Sequence, residues 1–361
     1  MHKGSIRTRL AIGLAAVAVI AAACSSAGTS SAPSGSAAAG TYTVGISNPG
    51  AVGNGWREAM ICSAKAQAVA SGSVKSVTAT TRVTDPAGQL ADIRDLIAKN
   101  VNILLINPAS PDALNPAIAE AIAKGIAVVA IDAPVTAPGA YNMSNDQVQY
   151  AYLGAKWLFE AMGKTGAVVY MRGIPGHPAD TDRDTGFKKA LAEYPNITIA
   201  KETSTNWDQK TGVTQINDIL TSGTKFDGIW TSGIDNVIVD ALKTAKHAYV
   251  PIVGADNAGF VKQLLDTTGY PGLKGAAVTN PPAVGGAGTV LALQLLAGQK
   301  PASNNIHVTP ELWDNTTDAG KAALTAAADP TLPAIWPLGL TIKDWTTYPR
   351  DAVKTCKGPG E

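Results

Sequence analysis

Two short apolar runs each end in a single polar residue at a turn. Ile103-Leu-Leu-Ile106 runs into Asn107-Pro108, and Ile126-Ala-Val-Val-Ala-Ile131 runs into Asp132. An unbroken apolar stretch of this length, without alternation, reads as a parallel strand covered on both faces. Parallel neighbours need a crossover, so such strands belong to an α/β sheet. Open sheets of that kind bind ligands outside the carboxyl ends of their strands. Asn107 and Asp132 therefore stand where a polar ligand is held.

The rest of the chain repeats the alternation. Tyr42-Thr-Val-Gly-Ile46 reads as a strand and Trp56 to Ala70 as a helix. Asp85-Pro86 opens a helix with an N-cap followed by proline at the first helical position, and Leu90, Ile93 and Ile97 share its inner face. Ser110-Pro111 repeats the device for a helix carrying Leu114, Ile118 and Ile122, which Gly125 stops. After Asn145 a second series begins. Helices are expected over Tyr152–Met162, Phe187–Glu193, Val213–Leu220 and Val284–Leu296. Strands are expected at Gly166–Tyr170, Ile197–Ala200, Asp227–Trp230, Pro251–Gly254 and Gly275–Val278. A single sheet of all these strands would be unusually large, so two similar lobes are the better reading. Past Trp313 the pattern loosens, with a short helix expected at Ala322–Ala328 and a tail that packs across the lobes.

The first residues read as an export signal. Lys3, Arg7 and Arg9 precede an apolar stretch from Leu10 to Ala23 that is too short for a permanent span. Ala21-Ala-Ala-Cys24 resembles a lipobox, where bacterial lipoproteins are cut and diacylated at cysteine. Ser25 to Gly40 holds only Ser, Ala, Gly, Thr and Pro, the composition of a flexible tether. Formal net charge is +1, which gives no field to attract nucleic acid or an anionic membrane. Cys62 and Cys356 remain. Outside the cytoplasm two leftover thiols often pair; the alternative is two separate buried thiols.

Taken in order, these segments resemble the type I periplasmic sugar-binding proteins of ABC importers, the ribose-binding-protein group. The resemblance covers roughly Tyr42 to Leu312. It implies two Rossmann-like α/β lobes with parallel sheets, joined by three hinge crossings near Met143–Asn145, Thr279–Pro281 and Val308–Glu311. The expected layout is a signal at 1–23 and a tether at 24–40. Residues 41–143 with 281–308 form an N-terminal lobe, 144–280 with 309–317 a C-terminal lobe, and 318–361 a tail on the lobes. The resemblance also implies ligand contacts. Asn48 follows the first strand, Trp56 is an aromatic that stacks on a sugar ring, and Asn107 and Asp132 are the strand-end residues. Ser144 or Asn145 falls at the first crossing, with Asn145 preferred. Arg183 lies in an R-x-x-G-F segment that opens a helix of the C-terminal lobe. Trp207 forms a second aromatic wall, Asp256 is an acid after a strand, and Asn280 is an amide at the second crossing. One position departs: Gly233-Ile234-Asp235 has Ile where sugar binders commonly place Asn, which hints at a ligand other than ribose.

The residue types suit a polyhydroxylated ligand on their own account. Aspartates accept, arginine donates in a fixed fork, asparagines do both, and tryptophans offer apolar faces to ring C–H groups. Each also has a plain structural reading: Asn-Pro is often a turn, Asp132 and Arg183 read equally as a cap and a surface charge, and Trp207 as core. The expected function is capture of a sugar or sugar-like polyol by hinge closure and delivery to ABC permease subunits, by a monomeric lipoprotein on the outer face of the membrane, without cofactor, metal or nucleic acid. An enzyme is disfavoured: Gly50-Ala-Val-Gly53-Asn-Gly55 does not match G-x-G-x-x-G, and no G-x-S-x-G elbow occurs. The runner-up is a sensor handing a sugar-like signal to a membrane receptor.

Overall fold

The computed structural model describes residues 40–50 and 53–361. The signal, the lipobox with Cys24 and all of the tether but Gly40 lie outside the described residues. The chain begins with β1 (Tyr42–Pro49), α1 (Gly55–Ser71), β2 (Val74–Arg82), α2 (Pro86–Ala98), β3 (Ile103–Ile106), α3 (Asn115–Ala123), β4 (Ala127–Asp132) and β5 (Tyr141–Asn145). It then builds α4 (Gln147–Ala161), β6 (Gly166–Arg172), α5 (Pro178–Leu191), β7 (Ile197–Ser204), α6 (Gln209–Thr221) and β8 (Gly228–Trp230). These lead into α7 (Asp235–Thr244), β9 (Ile252–Ala255), α8 (Ala258–Leu265) and β10 (Gly275–Val278). It returns through α9 (Val284–Leu296) to β11 (Asn305–Val308), crosses once more to β12 (Leu312–Asp314), and ends with α10 (Asp318–Ala327) and α11 (Arg350–Thr355).

Two six-stranded sheets result, ordered β11-β5-β4-β3-β1-β2 and β12-β10-β9-β8-β6-β7. All pairings are parallel except β10 with β12. The two orders are the same: each sheet starts inside, steps outward once, then grows on the other side. In both, the reversal leaves a crevice at the carboxyl ends. The chain changes sheets three times, after β5, after β10 and after β11.

Both faces of each sheet are covered. In the first, α2 and α3 bury Ile93, Leu96, Ile118 and Ala121 against Leu104, Ile106, Val128 and Ala130. On its other face α1 and α9 bury Met60, Ala64, Val284 and Leu291 against Ile46, Ile103, Leu105 and Ile131. Successive strand residues thus enter opposite cores, which is why these strands are apolar throughout. In the second sheet Tyr170, Phe187 and Trp230 form an aromatic cluster beneath α4 and α5, with Tyr170 and Phe187 stacked at 3.8 Å between centroids.

Several boundaries differ from expectation. β2 was not expected: Val74-Lys-Ser-Val-Thr-Ala-Thr-Thr-Arg82 is an edge strand, half exposed and rich in β-branched residues rather than continuously apolar. Ser110-Pro111 does not open α3. Ser110 Oγ donates to Asp112 Oδ1 at 2.8 Å and accepts from the Ala113 N–H at 3.2 Å, closing a turn, and Pro116 starts the helix instead. α5 begins at Pro178, well before the expected Phe187, because His177 caps it. Arg183 therefore sits in mid-helix rather than at an opening. Cys62 and Cys356 are bonded, joining α1 to the residue after α11.

Candidate ligand-binding site

A cavity of about 240 Å³ lies between the carboxyl ends of the two sheets. That is somewhat less than the ~300–1,000 Å³ of drug-sized ligand pockets, so it suits a smaller guest. Gly50, Trp56, Arg57 and Asp132 line it from the first lobe. Arg183, Trp207, Ser232 and Asn257 line it from the second, and Asn280 from the crossing between them.

Asp132 ends β4 with φ +74°, a left-handed conformation that Asp tolerates better than most residues. Its Oδ1 accepts from Gln147 Nε2 at 2.8 Å and Asn145 Nδ2 at 3.3 Å. Burial pushes its pKa up, while Arg183, Arg57 and these two amides pull against the rise. Arg183, on the inner face of α5, donates from Nε to Gln147 Oε1 at 2.8 Å. Its guanidinium lies 4.2 Å from the Tyr150 ring centroid and 5.6 Å from that of Trp207. Gln147 thus ties the acid of one lobe to the arginine of the other.

Arg57, one residue after Trp56 in the first turn of α1, is a second buried guanidinium. Nη1 donates to Asn48 Oδ1 at 2.8 Å, and Nη2 lies 3.5 Å from His177 Nε2. Burial lowers its pKa to about 10, partly offset by the Asp132 charge, so it stays protonated at neutral pH. His177 Nδ1 accepts from the Ala179 N–H at 3.2 Å as the cap of α5. Burial, with Arg57 and Arg183 nearby, holds His177 well below its ordinary pKa. A neutral ring has a single acceptor nitrogen, so it takes either the Ala179 N–H at Nδ1 or the Arg57 guanidinium at Nε2.

The aromatic walls are fixed by their nitrogens. Trp56 Nε1 donates to the Asn280 carbonyl at 2.6 Å, and Trp207 Nε1 to Ser232 Oγ at 3.3 Å. Trp207 has φ +54° and its ring lies on Gly173, where a Cβ would meet Cε2 at 2.1 Å. The Asn280 amide sits among donors. One end meets Gln147 Nε2 at 3.1 Å, and the other faces Trp56 Nε1 at 3.0 Å and Arg183 Nη2 at 3.1 Å. With its oxygen turned to Trp56 and Arg183, the Asn280 amide accepts from both.

Five of the expected contact residues thus face the cavity: Trp56, Asp132, Arg183, Trp207 and Asn280. Four stand elsewhere. Asn48 is buried behind the site and orients Arg57. Asn107 accepts from Gln89 Nε2 at 2.7 Å through its carbonyl, and its amide nitrogen meets the Met60 sulfur at 3.7 Å. Asn145 joins Asp132 to the Pro281 carbonyl, tying the first crossing to the second. Asp256 accepts the N–H of Asn280 at 3.1 Å and of Gly339 at 3.2 Å, so the tail rather than a ligand occupies its carboxylate.

Sequence reasoning missed Arg57, Gln147, Ser232 and Asn257, and, although it expected a tail across the lobes, it did not foresee that Ile335 and Pro337 line the cavity. Arg57 had a signal: it falls on the same helical stripe as the buried Met60, Ala64 and Ala68, where a charge has no structural reason to be. Ile234, the departure from the sugar-binder pattern, is fully buried in the core. Among the described residues no cluster of His, Cys, Asp or Glu is placed to hold a metal, and no helix is long and apolar enough to cross a membrane.

Residues 44–300 match the family model described as periplasmic binding protein domain. The chain belongs to the periplasmic binding protein family. Among its relatives, a xylitol-binding protein of Mycolicibacterium smegmatis is 26% identical over 65% of this chain and 67% of that protein. A ribose import binding protein of Haemophilus influenzae is 27% identical over 60% of this chain and 73% of that one. Among solved structures, an ABC transporter solute binding protein from Thermobispora bispora superposes with a TM-score of 0.70 at 26% identity, covering 82% of this chain and 99% of that one. The members of this family named here are binding proteins.

Proposed function

We propose that this chain captures one sugar ring or short polyol between its lobes and delivers it to the permease of an ABC importer. The observation that carries the reading is the pairing of Trp56 and Trp207 with Asp132, Arg57, Arg183 and Asn280 around one small cavity. Apolar C–H faces of a sugar lie on the indoles, and its hydroxyls accept from the guanidiniums and donate to Asp132. A site so rich in buried polar groups rejects analogues that lack hydroxyls, because those groups are then left unpaired. The relatives named for xylitol and ribose, and a structural neighbour solved with D-allose, support a ligand of this class.

The expected location is outside the cytoplasm, held to the membrane by lipid on Cys24 after removal of residues 1–23. Mass spectrometry of the membrane fraction, with Cys24→Ser as comparison, tests the anchor. The binding reading is tested by thermal unfolding of the purified chain with xylitol, D-ribose, D-allose, D-fructose and L-arabinose. A ligand present at 100 times its Kd stabilises by about 2.7 kcal/mol, an upward shift of a few degrees in Tm. No shift with any neutral polyol overturns the proposal.

A further inference from the structure

Beyond α10 the chain runs as a strap between the lobes. On the second lobe, the carbonyls of Ala334 and Trp336 accept from the N–H groups of Gly259 and Ala258 at 2.9 and 2.8 Å, at the start of α8. Pro337 forms an isolated antiparallel bridge with Asn257, and Gly339 donates to Asp256. On the first lobe, the same segment rests on the start of α1. A Cβ added to Gly55 would lie 2.3 Å from the Ile335 carbonyl oxygen, and Trp336 Nε1 reaches Glu58 Oε2 at 3.4 Å. Farther on, Thr347 exchanges two hydrogen bonds with Gln67, and Cys356 is bonded to Cys62, both on α1. Between these anchorages Ile335 and Pro337 line the cavity itself.

We propose that the Ala334–Pro337 segment is the wall that sets ligand size, admitting a single ring or short polyol and refusing bulk added on the Ile335 side. The proposal rests on the binding function proposed above. Its physical basis is that the segment's seat has two halves, one on each lobe. The amides of Ala258 and Gly259 and the flat face of Gly55 hold it only when both lobes are in register. A ligand that displaces Ile335 must break hydrogen bonds at α8, lift the chain from Gly55, or hold the lobes apart. A smaller ligand leaves all of these in place.

The test compares the full chain with Ile335→Ala, titrating xylitol, D-ribose and D-allose by calorimetry. Removing the branched side chain enlarges the cavity on one side. The ratio of D-allose to D-ribose affinity is expected to rise about tenfold, the low end of what one methylene is worth in an apolar pocket. Ile335→Val should move the ratio in the same direction by less, and serves if the alanine variant unfolds. Parent-like affinities and ratios in both variants, with sugar still bound, overturn the size-selecting role and leave the proposed function standing. A parent chain that binds none of the sugars overturns both.

Discussion

Trp207 occupies a backbone region that large side chains rarely visit, and its neighbour Asn206 does the same at φ +55°. Residues held there cost on the order of 1–3 kcal/mol each, so the surrounding structure must impose them. The cap of α6 by Asp208, the Thr205 hydroxyl and the bare surface of Gly173 together aim the indole into the cavity. Gly173→Ala therefore pushes the ring away while leaving both sheets intact. Ligand affinity should fall about tenfold or more, read by calorimetry with the sugar that gives the largest thermal shift. Asp132→Asn probes the other wall. It keeps the shape but leaves Arg57 and Arg183 without their nearest shared negative charge. A hydrogen bond to a charged group is worth about 1.5–3 kcal/mol, so affinity should drop between tenfold and about a hundredfold. An unchanged affinity would mean that the carboxylate serves the lobes and not the guest.

The elements legible in the sequence were those whose burial leaves a continuous apolar record. β3, β4 and β10 read directly because both faces are covered, and α9 because nearly all its faces are. β2 and the start of α5 left no such record, the first being an edge strand and the second a helix opening of Asp, Thr and Arg. The site divided the same way. Residues at strand ends that meet the cavity were found, whereas Asn107 and Asp256 stand at equivalent strand ends but turn their side chains to the Met60 sulfur and to the tail. Strand-end position alone does not distinguish a side chain facing the ligand from one serving the backbone. Arg57 and Gln147 were missed because the strand-end rule does not reach helix starts and the resemblance supplied only their near neighbours Trp56 and Asn145. Tail contacts were out of reach, since no local pattern reveals which distant helix a Pro-rich segment crosses. The disulfide belongs to this scale. It closes a loop of 294 residues between α1 and α11, and Cys356→Ser should lower unfolding stability by about 2–5 kcal/mol in a denaturant titration without reductant.

Two carboxylates buried in the second lobe tie the whole molecule to pH. Asp235 accepts from the N–H groups of Gly233 and Ala255 and from Asn257, yet burial outweighs them and pushes it up to about 7. Asp256, between the second crossing and the tail, is pushed up to about 6 for the same reason. A carboxyl group raised in this way binds a proton in the folded state that the unfolded chain has released. Its contribution is complete below about pH 4 and is lost as pH rises through the folded value. His177 works in the opposite sense: neutral when folded, it withdraws stability as pH falls below about 6.5. Single variants separate them. Between pH 5 and 8 the parent should lose about 2–3 kcal/mol more than Asp235→Asn, measured by urea unfolding at each pH. A parallel pair of profiles would show that Asp235 stays ionised throughout.

The route of the chain also governs the order in which the molecule can be made. The first sheet receives its last strand, β11, only after the whole second sheet except β12 has been synthesised, and α9 arrives just before it to cover Ile131 and Leu105. A nascent fragment ending at β5 therefore exposes the part of one face that α9 covers, and an open strand edge, to its surroundings. The second sheet, by contrast, is nearly complete once β10 emerges. The half that starts first on the ribosome must wait for most of the other before its sheet is complete.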